Sequence, residues 1–492
     1  MREFGLKRKK IEGGGGMSMD AKGESCSSSS LSSVPVRQNE EDIISSLPDS
    51  ILCHILSFLP VRDSVATSVL SNRWKPLWIL VPVLDLDHYN LSKKRRGQTF
   101  SFVDTVVRIW TLRNAISIPT PLRKLRISWC DDCLPLFVDS LVRATIPKGA
   151  LQQLDLNIYS SKQPLELPRS VFFCKTLVVL KLKGTLLLNP PSASTFPTLE
   201  ILLLDSVRYA NCDSLSTLLA SSPVLQEFTL KLSPFRMDNL DKNAAAAGKL
   251  NIIVLVPTLK FLLLHVECGS YKLHLNTPAL KYFHFKGVLD EDVVLEKLPN
   301  LVKSVLEVET RYDTSDDDYA MRIWDFMGPL NNVISMELYI NTAESLCHAS
   351  NHDDDVPMFH NLSSLKIYGE LWFKYAWHAV RLLLFRAPKL QTLTFELVDM
   401  YGSRCSDLDN CSKYSQEVPQ CLSSNLTTCH YKGFSEHEDE MELVRQILKD
   451  AKVLRTMKIT AEGGPDSEMN RRIHKELMKF PKSSQICQIA LE

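Results

Sequence analysis

The chain has no surplus of either charge. Its 492 residues carry 57 Lys and Arg against 57 Asp and Glu, so bulk electrostatics favours neither nucleic acid nor a charged membrane surface as a partner. Long hydrophobic runs are also missing. The most apolar, Leu250–Val256 and Leu382–Phe385, soon meet a proline or a charge and fall far short of the ~20 residues a membrane-spanning helix needs. The opening MREFGLKRKK lacks the apolar centre of a secretory leader. Outside one early run the glycines are scattered. No Gly-x-Gly-x-x-Gly, phosphate-binding Gly-x-x-x-x-Gly-Lys or Gly-x-Ser-x-Gly occurs, which removes common nucleotide-binding and hydrolase signatures. The thirteen cysteines follow no regular spacing. Such an odd, irregular set reads as free, mostly buried thiols in a reducing compartment. These absences predict a soluble protein of the nucleus and/or cytoplasm, with no membrane or nucleic-acid partner.

Three polar clusters were candidates for metal or redox chemistry, and none is complete. Cys130-Asp-Asp-Cys133 has a C-x-x-C spacing but no second pair of ligands nearby. Cys347, His348, His352, Asp353 and His360 are denser, yet lack a helical His-Glu-x-x-His arrangement. Cys405, Cys411, Cys421 and Cys429 read more simply as buried thiols, Cys429 at an apolar strand position. Nothing marks a cysteine of lowered pKa for direct group transfer. Catalytic residues, metals and cofactors are all expected to be absent.

Residues 1–40 hold a basic run (Lys7–Lys10), a glycine run (Gly13–Gly16) and a serine-rich patch. That composition cannot offset the entropy of ordering, so a disordered leader is expected. Its basic run is compatible with a nuclear import signal, although a solvated charge run is the simpler reading. Met17 and Met19 are alternative starts.

Residues 43–78, IISSLPDSILCHILSFLPVRDSVATSVLSNRWKPLW, have a different character. Leu47, Ile51, Leu52, Ile55, Leu56 and Leu59 recur at helical spacing. Pro48 and Asp49 suit the first turn, and Pro60 stops the helix. Asp63 is the expected N-cap of a second helix with apolar Val65, Ala66, Val69 and Leu70. Trp74 and Trp78 follow, and Pro76 limits any third helix to a short turn. So short a stretch cannot bury a core alone, which leaves apolar faces in want of a partner.

The string resembles the F-box, particularly its plant form, in Leu47-Pro48, in Leu56 with Leu59-Pro60, and in the Ser-x-Arg-Trp-x-x-Leu-Trp ending at Trp78. The resemblance implies docking on a Skp-family adaptor and, through it, a cullin ubiquitin ligase. The adaptor-facing set is then Leu47, Pro48, Ile51, Leu52, Ile55, Leu56, Leu59, Val65, Val69, Leu70, Trp74 and Trp78. Some of these must instead pack the helices together.

From about residue 120 the grammar becomes Leu-x-x-Leu-x-Leu. Copies stand at 122–127, 151–156, 177–182, 199–204, 225–230, 259–264 and 280–285, with weaker ones at 333–338, 362–367 and 390–395 and the poorest, LVKSVL, at 301–306. Copies 20–35 residues apart read as leucine-rich repeats, each stacking on its neighbours in a curved array. The last two apolar residues of a copy share one face of a strand and point inward. Ser214–Ala220, Tyr319–Phe326 and Trp377–Phe385 have helical spacing and are expected on the convex side. Arg311–Asp318 and Ala343–Val356 read as exposed insertions.

Outward positions on the strands include Arg126, Ser128, Asp155, Lys181, Lys183, Lys231, His265, His284 and Lys286. Several are basic, which points to an acidic protein or a polyphosphate, against the plainer reading of a solvated face. The segment 415–492 opens Val-Pro-x-Cys-Leu, passes a Tyr-Lys-Gly-Phe turn and closes Phe-Pro-x-Ser-Ser. It resembles the FBD domain of plant F-box/leucine-rich-repeat proteins, which brings no assigned chemistry. Its strands around Tyr431 and Ile459 echo the repeat phase, with an amphipathic helix between them.

The expected architecture is an α+β repeat protein: a helical F-box (43–90), a leucine-rich-repeat α/β solenoid (120–400) and an FBD segment (415–492) continuing it. The resemblance implies a non-enzymatic substrate receptor that brings an unidentified client to the ligase for ubiquitination and proteasomal degradation. A repeat scaffold without client turnover, or a small-molecule-responsive receptor, is the alternative.

Overall fold

The computed structural model describes residues 43–91, 102–115, 121–130, 135–146, 149–160, 164–232, 249–267, 270–309, 316–346, 357–370, 373–398, 417–435, 438–461 and 467–491. The leader 1–40, Cys133, Cys405, Cys411 and the cluster from Cys347 to Asp353 lie outside these residues.

The Leu-x-x-Leu-x-Leu hexads build the main sheet as the physics requires. In each, the first apolar residue sits just ahead of a strand and is buried, as Leu122, Leu151, Leu177 and Leu199 show. The next two alternate with half-exposed neighbours, giving burial at every second position. Among the described residues fifteen strands form one sheet in chain order, from Val83–Asp87 to Gln488–Leu491, and every pairing in it is parallel. Parallel strands are covered by their crossovers. Here the cover comes from helices and two three-stranded sheets, Leu165–Glu166 with Leu186–Leu188 and Arg208–Tyr209, and Leu250–Val254 with Tyr271–Leu275 and Val293–Leu295.

The weakness of the 301–306 copy has a physical cause. In register, Ser304 stands between Phe283 and Met336, where the other copies place an apolar side chain. It is fully buried, and its hydroxyl has no hydrogen-bond partner among the described residues.

Three expected helices are present: Ser214–Ala220 as such, and the other two inside Asp316–Met327 and Phe373–Arg386. The sheet begins ahead of the first hexad, since Val83–Asp87 already pairs with Lys124–Cys130. Two expectations need correction. Ala343–Val356 is not an exposed insertion throughout. Helix Ile340–Leu346 buries Ile340, Ala343 and Leu346, a spacing of three that puts them on one face. Arg311–Asp318 is likewise no simple loop, since its last three residues open the helix Asp316–Met327.

At the C-terminal end, strands Thr428–Phe434, Thr456–Ala461 and Gln488–Leu491 extend the same sheet. Helices Glu438–Asp450 and Ser467–Leu477 connect them. No helix among the described residues is long and apolar enough to cross a membrane.

Two compact units divide the chain, 1–48 and 49–492. In the first, the described residues form the short helix Ile43–Ser46, closed by the Leu47 amide donating to the Ile44 carbonyl at 3.2 Å.

Candidate functional site

Helix Asp49–Leu56 has two apolar stripes rather than one. Leu52 and Leu56 are fully buried, while Ile51 (45% exposed) and Ile55 (42%) face away from the core. Phe58 (76%) and Leu59 (40%) continue the outer stripe just before Pro60. The next helix, Val61–Ala66, starts two residues ahead of Asp63, so Pro60 takes the N-cap place and Asp63 lies in the first turn. Proline at 60 supplies a fixed φ and cannot continue the preceding helix, which sets that boundary. A 3-10 turn, Thr67–Val69, ends on Val69 (86%), and Leu70 (64%) follows.

The helices are held from within. Ser64 is buried and its hydroxyl donates to the Leu56 carbonyl at 3.0 Å. The Cys53 thiol points to the Leu77 carbonyl at 3.6 Å, with its pKa raised by burial first and by Asp49 second. Arg73 Nε donates to Asp49 Oδ1 at 2.8 Å, tying the third segment to the start of the first helix. Trp74 and Trp78 are both buried, and Trp78 belongs to the core shared with the sheet.

These positions redistribute the adaptor-facing set read from sequence. Ile51, Ile55, Leu59, Val69 and Leu70 present side chains outward. Leu52, Leu56, Trp74 and Trp78 do not, because they supply the packing that holds the outward ones in place, and Val65 is partly buried against the core. Leu47 is half-buried and Pro48 exposed, both in the separate unit 1–48. Phe58 was missed. Its signal was present: 51, 55 and 58 follow the i, i+4, i+7 spacing of a helical face. Single exposed apolar side chains are ordinary on a protein surface, whereas large grouped patches are the kind that mark interaction sites.

The second candidate surface is the outward face of the long sheet. All nine predicted positions lie on it and are partly exposed. The register places Arg126, Asp155 and Lys181 in one row, and Ser128, Lys183, Lys231, His265 and Lys286 in the next. His284 is in the first row, beside Leu263.

Several of these positions are basic, and some of those are paired. Arg126 sits between Asp85 and Asp155, at 3.1 and 3.7 Å. Partial burial opposes its charge, and the two carboxylates more than offset that and raise its pKa. Lys286 reaches Glu267 at 3.7 Å and Glu307 at 3.4 Å. His265 pairs with Glu267, and His284 Nε2 donates to Glu307 Oε1 at 3.2 Å. Tyr368 OH donates to the same oxygen at 2.9 Å. The His284 hydrogen bond, working against burial and joined by Tyr368 and Lys286, pulls the Glu307 carboxyl down to about 2. Farther along, Lys366 and Lys432 share Glu396. Lys181, Lys183 and Lys231 have no ion pair among the described residues.

Among the described residues no three His, Cys, Asp or Glu side chains are grouped to hold a metal ion. Cys130 is exposed at the end of its strand, while Cys421 and Cys429 are buried, which pushes both thiols up to about 12.

The chain matches the F-box domain over residues 44–84, the leucine-rich repeats described for the FBD-associated F-box protein At5g56370 over 138–245, and FBD over 415–459. Similar proteins come from Arabidopsis thaliana. The F-box/LRR-repeat protein At4g14103 is 30% identical over 397 residues, covering 77% of this chain and 98% of the relative. The F-box/LRR-repeat protein At1g55660 is 30% identical over 340 residues, covering 67% and 89%. The putative FBD-associated F-box protein At3g50710 is 28% identical over 471 residues, covering 92% and 100%.

Proposed function

Because the chain belongs to the F-box/FBD/leucine-rich-repeat family, we propose that it is the substrate-recognition subunit of a Skp–cullin–F-box ubiquitin ligase. The observation that carries this reading is the outward apolar set Ile51, Ile55, Phe58, Leu59, Val69 and Leu70 on helices whose other faces are already packed. A Skp-family adaptor would cover it and connect the chain to a cullin. The fifteen-strand sheet, read as a curved leucine-rich-repeat solenoid with the FBD strands as its last turns, would hold the client. The chain would do no chemistry of its own. Its contribution is proximity, raising the effective concentration of the client near the ubiquitin-carrying enzyme to roughly millimolar levels. Nucleus and cytoplasm are the compartments where such a ligase would meet this chain.

Interface energy concentrates in a few central anchors, each worth about 2 kcal/mol or more on truncation. Ile55→Asp with Phe58→Asp should therefore cut copurification of a Skp adaptor at least tenfold, while the thermal unfolding of the sheet stays in place. Leu47→Ala with Pro48→Ala should weaken it as well. Undiminished adaptor binding by both variants at matched expression would refute the F-box role. A client whose half-life lengthens on removal of the protein, in a proteasome-dependent way, separates receptor from scaffold.

A further inference from the structure

The outward face of the sheet is polar at its first strands, with Arg126, Asp155 and Asn157, and again at its later ones, with Glu337, Lys366 and Glu396. Between them the character changes. Ile201 and Leu203 stand outward on one strand, and Phe261 and Leu263 outward on the next but one. Tyr282, adjacent to Phe261 in register, stacks on it with ring centroids 4.6 Å apart and planes 1° from parallel. All five are half-exposed. Glu227 and Thr229, on the strand between, separate Ile201 and Leu203 from Phe261 and Leu263, so the apolar side chains form two groups, the larger being Phe261, Leu263 and Tyr282.

Beside these groups stand three lysines without ion pairs, Lys181, Lys183 and Lys231. Lys124, at the start of the second strand, is likewise without an ion pair among the described residues. Arg126, Lys286, Lys303, Lys366 and Lys432 on the same face all reach a carboxylate. Asp205 lies between Lys183 and Lys231 in register, yet reaches neither within ion-pairing distance and accepts instead from the Ser206 hydroxyl at 3.0 Å.

We infer that strands Val179–Gly184 to Tyr282–Gly287 form the client-docking site, and that its occupant is an extended protein segment combining acidic with aromatic or aliphatic side chains. The inference rests on the receptor reading above. Four strand steps of about 4.8 Å and a two-residue offset along the strand separate Lys181 from Tyr282, a span of about 20 Å that roughly six extended residues cover. Acidic side chains at one end of that segment meet the lysines, and apolar ones at the other cover the Phe261–Tyr282 stack. A free polyanion would neutralise the lysines and leave the apolar groups wet, so a peptide fits the whole surface better.

The test is selection of a random dodecapeptide phage library on the full chain copurified with its Skp adaptor. Selection on the wild type should enrich peptides with acidic residues within about six positions of an aromatic or large aliphatic one. The triple variant Lys181→Glu, Lys183→Glu, Lys231→Glu should lose the acidic preference, and Phe261→Ala with Tyr282→Ala should lose the apolar one. Binding of a selected peptide should fall at least tenfold in each. These side chains are outward, so unfolding temperature and adaptor copurification serve as controls and should not move. No consensus, or one shared unchanged by both variants, would overturn the assignment. So would lysine-dependent binding of inositol hexakisphosphate without any peptide consensus, which would make the lysines a small-anion site. Loss of the adaptor with peptide selection intact would instead refute the ligase reading and leave this surface standing.

Discussion

Glu307 shows what one residue does on the outward face. Its carboxylate accepts from His284 and Tyr368 and lies beside Lys286, at a site where little water competes. Its folded pKa of about 2 is below the ordinary 4.5, so the folded state binds its proton less readily than the unfolded chain does. The stability it contributes is fully present above about pH 4.5 and is lost as pH falls through about 2. Glu307→Gln should destabilise the protein near pH 6, and the gap to wild type should shrink as the pH is lowered from 4.5 toward 2. Urea unfolding followed across that range checks both the sign and the window. A gap independent of pH would mean that the carboxylate charge contributes nothing.

The pairing around Glu307 could not be read from the linear chain. That His284 and Lys286 point outward was legible from the hexad pattern. That Tyr368, two strands farther along the sheet, reaches back to the same carboxylate was not, because it depends on the register between strands.

Among the elements, the C-terminal turn explains its own sequence signature. Gly433 adopts φ +79°, and a Cβ there would meet the Leu397 carbonyl oxygen at 2.2 Å, so only glycine fits the Tyr-Lys-Gly-Phe turn. Glu440, in the first turn of helix Glu438–Asp450, is buried. It accepts from Tyr431 OH at 3.0 Å, and from the Ser435 amide and hydroxyl at 2.8 and 3.0 Å. In the closing Phe-Pro-x-Ser-Ser, the buried Ser484 hydroxyl donates to the Leu454 carbonyl at 2.6 Å. Glu440 thus fastens its helix to the strand Thr428–Phe434, and Ser484 fastens the last loop to the segment just ahead of Thr456.

Glu440→Ala leaves three donors without that acceptor, and hydrogen bonds to a charged group are worth about 1.5–3 kcal/mol each. Hydrogen exchange of strands Thr428–Phe434 and Thr456–Ala461 should accelerate by tenfold or more in this variant, with strands before residue 300 unaffected. Uniform acceleration across the sheet would show that the FBD strands have no local stability of their own.

At the scale of the whole molecule, the helical N-terminal element and the sheet are one folded body within residues 49–492. Trp78 packs in the same core as Leu84, Leu86 and Phe102. Arg113, on helix Phe102–Asn114, donates to the Val81 carbonyl at 2.8 Å, and burial lowers its pKa to about 10. The first strand follows immediately at Val83. An adaptor bound on the outer stripe would therefore be held at a fixed orientation to the client face, which is what proximity-driven transfer needs. Large-to-small changes at a buried Trp cost about 3–5 kcal/mol. Trp78→Ala should loosen both the helices of residues 49–80 and the first strands together, read as simultaneous loss of exchange protection in 49–80 and 83–130. Loss confined to 49–80 would mean that the two parts fold independently.

The sequence by itself determined the repeat grammar, the positions of the hexad strands and the F-box signature. All three rest on short-range regularities: alternation of period two, helical spacing, and prolines that end helices. Sequence also placed Ile51, Ile55, Val69 and Leu70 in an apolar set. It could not say which members of that set turn outward, because Leu52 and Ile51 are chemically alike and only packing against Leu77 and its neighbours separates them. The same holds for charge. The chain displays nine polar candidates on the sheet, and tertiary pairing decides that Arg126 and Lys286 are neutralised while Lys181, Lys183 and Lys231 are not. Burial and pairing are properties of neighbours distant in sequence, and parallel strands 20–35 residues apart bring those neighbours together only when the whole array is stacked.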